Sequence, residues 1–370
     1  EVQCPACGHT YPLALSVHAE ELSPERDPGE AGMPETMVEA WNDRPSNRST
    51  PQSEANPESI LNRVFGYPSF RENQKAIIDM LLAGRDVFAL MPTGSGKSLC
   101  FQIPAIIRSG VGVVVSPLIA LMQDQVTDLR HSGVRAHFLN SSLSAEDAAR
   151  VEAIAAAGEC DLLYVAPERL LTDRFQRLLA NMDLALFAID EAHCVSQWGH
   201  DFRPEYLQIA DVTRRFPAVP RMALTATADP ATRREIVTKL HLADAARFVA
   251  SFDRPNIFYR VQIKQNDKRQ LLTVLRERHE GHAGIVYVRT RQRADATARW
   301  LEEKGISALP YHAGLDADIR RRNQRRFLME EGLVMVATVA FGMGIDKPDI
   351  RVVILLDLPS SMEAYYLETG

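Results

Sequence analysis

The chain has 370 residues, of which 46% are hydrophobic and 24% are charged, and its net charge is −6. At about 150 residues per domain, this length accommodates two domains and a shorter segment. The balance is typical of a soluble globular protein and excludes collagen-like, coiled-coil and mostly disordered chains. No apolar run approaches the ~18 residues that span a bilayer, and no basic-then-apolar leader is present. The sequence therefore predicts a cytoplasmic protein without a membrane partner.

The acidic residues are concentrated at the start of the chain. The first 58 residues hold 11 acidic and 3 basic residues, whereas the remainder holds 37 and 39. Any nucleic-acid binding by the nearly neutral main body must therefore use a local basic surface. Residues 1–56 are rich in Pro, Glu and Ser without a sustained apolar period, which predicts a mostly disordered leader.

The cysteines fall into two groups. Cys4 and Cys7 have the spacing of a zinc knuckle, but a structural zinc site needs four ligands and the second pair is missing. This pair resembles a partial zinc ribbon, and both a complete zinc site and a disordered remnant remain open. Cys100, Cys160 and Cys194 adjoin apolar runs and are predicted to be small core residues.

From about residue 57, apolar strands alternate with helix-length segments. Strands that are apolar throughout are typical of parallel sheets covered by helices on both faces. The pattern predicts two α/β domains, at 57–253 and 254–370. The predicted strands are 87–91, 111–116, 162–166, 184–189, 222–225, 284–288, 308–311, 333–337 and 352–356. The predicted helices include 97–108, 118–130 and 145–157.

A phosphate-binding loop is predicted between the first of these strands and the helix that follows. Its glycines let backbone N–H groups approach phosphates at a helix N-terminus, although Met91 stands where the general pattern has its first glycine. Lys97 would reach the β- and γ-phosphates, and the Ser98 hydroxyl would bind Mg²⁺. The alternative is a glycine-rich turn. The loop residues are Thr93, Gly94, Ser95, Gly96, Lys97 and Ser98.

An acidic pair closes the predicted strand 184–189. Asp190 would hold Mg²⁺, and Glu191 would orient and deprotonate the attacking water. Such a pair alone is usually a solvated turn, but together with Lys97 it indicates nucleotide hydrolysis. Upstream, Tyr67 could stack on a base and Gln74 could pair with an adenine edge, although a plain helix entry is the alternative.

Taken in order, these segments resemble the RecQ family of ATP-dependent DNA helicases, from about Ile60 to Gly370. The resemblance implies two tandem RecA-like domains with parallel sheets, the second truncated, and ATP with Mg²⁺ as cofactors. It implies that Tyr67, Arg71 and Gln74 read adenine and that Asp346 binds the ribose.

The resemblance also implies residues that contact DNA or couple it to hydrolysis. A loop at 194–206 resembles the aromatic-rich loop that distinguishes RecQ proteins from RNA helicases, and base stacking there is worth ~1–3 kcal/mol per base. Core packing is the alternative for its aromatic residues, and for Tyr206 both interpretations stay open. The implied DNA-contacting and coupling residues are Ser116, Pro117, Trp198, His200, Phe202, Arg203, Thr225, Thr227 and Thr338.

Two features of the second domain have open interpretations. His312 could contact DNA or cap the helix that follows it. A basic cluster on one predicted helix could contact nucleic acid or form a solvated face. The cluster comprises Arg320, Arg321, Arg322, Arg325 and Arg326.

The function implied is a 3′–5′ DNA helicase that couples ATP hydrolysis to duplex unwinding in DNA repair and recombination. Its expected partners are single-stranded and forked DNA, with a single-strand-binding protein as a candidate, and the expected state is a nucleoid-associated monomer. The chain stops where the family's sixth motif would begin, so weak turnover is expected of it. The alternatives are an RNA helicase of the same superfamily and a hydrolysis-deficient, nucleotide-switched DNA-binding module.

Overall fold

The computed structural model describes residues 2–3, 10–11, 13–19, 56–196, 202–251, 257–339, 341, 347, 349–359 and 362–369. In these ranges the chain forms two α/β domains built on separate, mainly parallel sheets. None of the helices in the described ranges combines the length and apolarity that crossing a membrane requires.

The first domain is built on a seven-stranded sheet in the order β10-β4-β9-β8-β5-β7-β6, in which every neighbouring pair is parallel. The carboxyl ends of all its strands therefore meet at one edge, where ligands of open α/β sheets bind. The strands are β4 (Val87–Leu90), β5 (Val111–Val115), β6 (Ala136–Leu139), β7 (Leu162–Val165), β8 (Leu184–Ile189), β9 (Arg221–Thr225) and β10 (Ala246–Val249).

Helices cover both faces of the first sheet. Successive residues of β4 belong to opposite cores: Phe88 and Leu90 pack in one, Val87 and Ala89 in the other. This burial on both faces explains why the strands are apolar throughout. The helices are α1 (Pro57–Phe65), α2 (Gln74–Leu82), α3 (Leu99–Ile107), α4 (Ile119–His131), α5 (Ala145–Ala156), α6 (Pro167–Leu170), α7 (Asp173–Ala180), α8 (Tyr206–Thr213) and α9 (Pro230–Lys239).

The second domain has a six-stranded sheet in the order β11-β3-β15-β12-β14-β13. Four of its strands, from β15 to β13, pair in parallel, whereas β3 runs antiparallel to both of its neighbours. The strands are β3 (Leu13–Ala19), β11 (Ile257–Ile263), β12 (Ala283–Tyr287), β13 (Ala308–Tyr311), β14 (Val334–Ala337) and β15 (Ile350–Leu355). A separate pair consists of β1 (Val2–Gln3) and β2 (Thr10–Tyr11).

The helices of the second domain lie on opposite faces of its sheet. Leu271 and Leu301 pack in one core with Val286 and Val336, while Phe327 packs in the other. The helices are α10 (Asp267–Glu277), α11 (Arg291–Glu303), α12 (Ala317–Met329) and α13 (Met362–Thr369).

The predicted fold class is confirmed, and every predicted strand is present within one residue at either end, except that β15 begins two residues earlier than predicted. The sequence analysis missed β6 and β10, the two edge strands of the first sheet, because His137 and Arg247 interrupt their apolar pattern. It also missed β11 and β3. The expectation of a mostly disordered leader differs from the structure at Leu13–Ala19, where a short apolar alternation forms β3; residues 20–55 lie outside the described ranges.

Candidate nucleotide and nucleic-acid site

The predicted phosphate loop lies between β4 and α3. The Met91 N–H donates to the Thr225 carbonyl at 3.1 Å, which ties the start of the loop to the end of β9. Gly94 and Gly96 have φ angles of +73° and +75°. These left-handed conformations favour glycine, so the two glycines allow the loop to turn back toward the helix.

Lys97 and Ser98 form the turn that enters α3, which begins at Leu99, two residues later than predicted. The Ser98 carbonyl accepts from the Gln102 N–H at 2.9 Å, so the first helical turn is formed immediately behind the loop. The free N–H groups of such a helix start attract anions. The loop therefore has the local geometry that a phosphate-binding role requires.

The acidic pair sits at the carboxyl end of β8, near the middle of the sheet. The Asp190 side chain is 5% exposed, and its Oδ1 accepts from the Glu191 N–H at 2.9 Å. Burial and the neighbouring Glu191 raise the pKa of Asp190 to about 7, and the nearby charge of Lys97 opposes that rise. Lys97 and Asp190 thus lie within electrostatic reach of each other, as the sequence analysis required.

Glu191 is connected to β9 through His193, a residue for which the sequence analysis made no prediction. His193 Nδ1 lies 2.8 Å from Thr225 Oγ1 and 3.2 Å from Glu191 Oε2. Because Thr225 Oγ1 donates its own hydrogen to the Thr227 carbonyl, it must accept from His193, so Nδ1 carries the hydrogen. Glu191 itself is held at φ +46°, a strained conformation that clusters at functional sites.

The donor set fits a magnesium ion. Mg²⁺ is usually held by one or two protein oxygen ligands together with substrate phosphates. Ser98 supplies a hydroxyl and Asp190 a buried carboxylate. The described residues contain no group of three or more His, Cys, Asp and Glu side chains that could hold a metal ion. The candidate zinc residues Cys4 and Cys7 lie outside the described ranges.

Two of the predicted adenine-reading residues contact the phosphate loop itself. Arg71 Nη1 donates to the Gly94 carbonyl at 2.5 Å. Gln74 Nε2 donates to the carbonyls of Ser95 and Gly96 at 3.0 and 3.2 Å, and its Oε1 accepts from the Arg71 N–H. Contact of Gln74 with adenine stays a prediction and would require these bonds to be exchanged. Tyr67, at 49% exposure, offers its ring to solvent.

The part of the aromatic-rich loop that the structure describes is anchored to the acidic pair and to the segment after β5. Arg203 Nη1 donates to the Pro117 carbonyl at 3.1 Å, and its backbone N–H donates to the Cys194 carbonyl. Phe202 is half-buried. Tyr206 is fully buried, so packing, and not base stacking, is its role. Trp198 and His200 lie outside the described ranges.

One contact to the loop was missed entirely. Gln125 of α4 donates from Nε2 to Ser98 Oγ at 3.2 Å. The sequence analysis named Ser116 and Pro117 from this region but not Gln125, and no periodicity of that helix singles it out. Ser116 is buried at the end of β5, and Thr227 is buried after β9.

The structure bears on both open interpretations in the second domain, the role of His312 and the role of the basic cluster. His312 is buried and its Nε2 lies 3.0 Å from Asp295 Oδ1, whereas Asp316 caps α12, so the capping alternative for His312 is wrong. Thr338 follows β14, and its N–H donates to the Tyr311 carbonyl. Asp346 lies outside the described ranges. All five arginines of the basic cluster are on α12, where Arg321 makes an exposed ion pair with Asp318 and Arg326 pairs with Glu330 just after the helix.

The buried cysteines agree with the prediction made for them, since Cys100, Cys160 and Cys194 all lie in the core of the first domain. Their burial raises the pKa of both Cys100 and Cys160 to about 12. These two thiols therefore stay protonated and unreactive near neutral pH.

Comparison with solved structures supports the fold. DUF1998 helicase MrfA bound to DNA and AMPPNP matches with a TM-score of 0.67 at 18% identity, over 86% of this chain and 48% of that one. DEAD-box helicase Mss116 bound to ssRNA and UDP-BeF matches with a TM-score of 0.66 at 16% identity, over 87% and 73%. At these identities the likeness concerns the fold alone.

Comparison of sequences identifies the family. Residues 71–236 match the DEAD/DEAH box helicase family, and residues 266–370 match the helicase conserved C-terminal domain. The chain is 47% identical to ATP-dependent DNA helicase RecQ of Haemophilus influenzae, over 84% of this chain and 50% of that protein. It is 42% identical to RecQ of Bacillus subtilis, over 85% and 53%. The chain thus spans about half the length of these relatives, and it belongs to the RecQ family of helicases.

Proposed function

We propose that this chain binds ATP with Mg²⁺ on the loop between β4 and α3, and that hydrolysis there drives the movement of a DNA strand. The observation that carries the proposal is a shared location: Lys97 lies in the loop after β4, and the buried Asp190 directly follows β8 of the same parallel sheet. A cation that can bind phosphate and a carboxylate that can bind a metal are therefore placed at one edge of the sheet.

In this proposal each side chain has a separate task. Lys97 and the backbone of the loop hold the β- and γ-phosphates, and Ser98 and Asp190 hold the cation. Mg²⁺ bound there would neutralise the charge that develops on the phosphate oxygens. Glu191, which His193 contacts at 3.2 Å, orients and deprotonates the attacking water.

The link from hydrolysis to DNA is supported by bonds around the acidic pair. His193 joins Glu191 to Thr225, and the Met91 N–H joins the phosphate loop to the same threonine's carbonyl. On the other side, Arg203 connects the described end of the aromatic-rich loop to Pro117. A strand that binds these segments can therefore alter the site where phosphate is cleaved.

The DNA preference follows from the relatives, which are DNA helicases by name at 42% identity or more. The 3′–5′ direction, a role in repair and recombination, the monomeric state, the nucleoid location and a single-strand-binding protein as partner remain predictions from family resemblance. Opening duplex DNA costs about 1.4 kcal/mol of stacking per step, so an outside energy source such as ATP is required.

The decisive experiment measures binding of a fluorescent ATP analogue and release of phosphate, with and without single-stranded DNA. We expect Lys97→Ala to abolish tight binding, and Glu191→Gln to keep binding while lowering hydrolysis by about 10²-fold or more. Lys239→Ala, which removes an exposed lysine of the same domain, is the matched control and should behave as wild type.

Two results separate the competing functions. Equal stimulation by single-stranded RNA would favour an RNA helicase. Nucleotide-dependent DNA binding without phosphate release in the wild type would favour the hydrolysis-deficient module. If Lys97→Ala bound the analogue as tightly as Lys239→Ala, the proposed site itself would be wrong.

A further inference from the structure

The side-chain amide of Gln125 lies against the hydroxyl of Ser98. Gln125 Nε2 donates to Ser98 Oγ at 3.2 Å, across 27 residues of sequence. Gln125 Oε1 is buried, with no hydrogen-bond partner within the described part of the chain. The amide is therefore partly removed from water, and within the described residues it bonds to the loop serine.

This bond restricts what the serine hydroxyl can do. A hydroxyl has one hydrogen to donate and two lone pairs that can accept. The hydrogen bond from Gln125 occupies one lone pair of Ser98 Oγ and leaves the second lone pair for a cation. The same bond fixes the direction in which this second lone pair points. Groups that orient a metal ligand in this way typically change metal affinity by 10–100-fold when they are removed.

The position of Gln125 makes the contact stable. It lies in α4, a helix of 13 residues whose neighbouring Met122, Val126 and Leu129 are buried in a core of the first domain. The helix therefore holds the amide at a fixed place beside the loop. Ser98 in turn sits at the entry to α3, which packs in the same core through Cys100 and Phe101.

We propose that Gln125 is a positioning residue that orients Ser98 Oγ to bind the divalent cation of the nucleotide. This inference rests on the proposed function, because it requires ATP and Mg²⁺ at the loop. It adds a residue to that site and does not alter the tasks of Lys97, Asp190 or Glu191.

The test titrates Mg²⁺ against the full 370-residue chain with a fluorescent ATP analogue and measures the concentration for half-maximal binding. Gln125→Met keeps the length of the side chain and removes its donor. We expect it to raise the half-maximal Mg²⁺ concentration about tenfold while the affinity for metal-free analogue stays unchanged. Thr127→Ala is the matched control, because Thr127 is exposed on the same helix and its hydroxyl donates to the Gln123 carbonyl at 2.8 Å.

A double-mutant cycle identifies the route of the effect. If Gln125 acts through Ser98, Ser98→Ala combined with Gln125→Met should be no weaker for Mg²⁺ than Ser98→Ala alone. Three results would each overturn the inference. The first is an unchanged Mg²⁺ requirement in Gln125→Met, and the second is additive effects on this requirement in the double variant. The third is an equal loss of analogue affinity with and without metal. Those results would leave the proposed function standing as long as Lys97→Ala loses nucleotide binding. A wild type that bound no nucleotide would instead overturn both.

Discussion

The hydroxyl of Tyr206 donates a hydrogen bond to the backbone carbonyl of Asp190, with 2.8 Å between the two oxygens. Tyr206 is the last residue of the aromatic-rich loop and the first residue of α8. The end of the loop and the backbone of Asp190, the proposed metal ligand, are thus joined by a buried hydrogen bond.

We expect Tyr206→Phe to lower the free energy of unfolding by about 1–3 kcal/mol, because it removes the donor from a buried carbonyl. It should also reduce the stimulation of ATP hydrolysis by single-stranded DNA. Tyr164→Phe is the control: Tyr164 is equally buried, and its hydroxyl accepts from Gln102 Nε2 at 3.1 Å. Urea unfolding and phosphate release measure the two effects. Equal loss of DNA stimulation in both variants would contradict a specific role for Tyr206.

A pair of glycines allows a steric prediction. Gly110 has φ +100°, and a Cβ built on it would lie 2.6 Å from the Asp183 carbonyl oxygen, whereas Gly133 has φ +82° and open space around it. We expect Gly133→Ala to cost about 1–2 kcal/mol, the price of left-handed backbone alone. Gly110→Ala should cost at least ~2 kcal/mol more, because the neighbouring strand must also move. Thermal and urea unfolding measure both, and equal costs would refute the clash.

The stability of the chain should depend on pH through His137. Burial lowers the pKa of His137 to about 4, and the charges of Arg130 and Arg135 act in the same direction. Between pH 6.5 and 4 the unfolded chain therefore takes up a proton that the folded chain does not. The free energy of unfolding should fall across this interval as pH decreases, and the contribution should be constant above about pH 7.

In His137→Gln, the fall in the free energy of unfolding across this pH interval should be smaller than in wild type by about 2 kcal/mol. This figure allows for solvent screening of a half-buried group. His131→Gln changes an exposed histidine at the end of α4 and serves as the control. Urea unfolding at pH 4.5, 5.5 and 7.5 measures the slope. An identical slope in wild type and His137→Gln would show that the histidine is not responsible.

An ionic network at the end of β15 should stabilise the second domain. Asp357 accepts from the Arg289 N–H at 3.0 Å and from Arg293 Nη1 at 2.6 Å, and Lys264 Nζ lies 3.4 Å away. Asp357→Ala removes the shared acceptor of all three groups and should cost about 2–3 kcal/mol. Asp318→Ala, which breaks an exposed ion pair on α12, should cost less than ~0.5 kcal/mol. Similar costs in urea unfolding would indicate that the network contributes little.

The central strands were predictable because their burial on both faces leaves an uninterrupted apolar pattern, as in β5 and β8. The edge strands β6 and β10 have one neighbouring strand each, and their polar residues interrupt the apolar pattern by which a strand is predicted. The locations of the acidic pair and the glycine-rich loop were predictable because each directly follows one of the apolar central strands. By contrast, the Gln125–Ser98 and His193–Thr225 contacts join residues 27 and 32 positions apart. Only the packing of the helices and strands brings these side chains together.

Placing β3 between β11 and β15 has a consequence for biosynthesis. β3 precedes the first domain in the chain, yet its partners begin at Ile257, beyond that whole domain. During translation the first domain can fold on emergence from the ribosome, whereas Leu13–Ala19 must wait for strands made more than 200 residues later. Contacts of such long sequence separation form slowly, so completion of the second sheet should be the late step of folding on the ribosome.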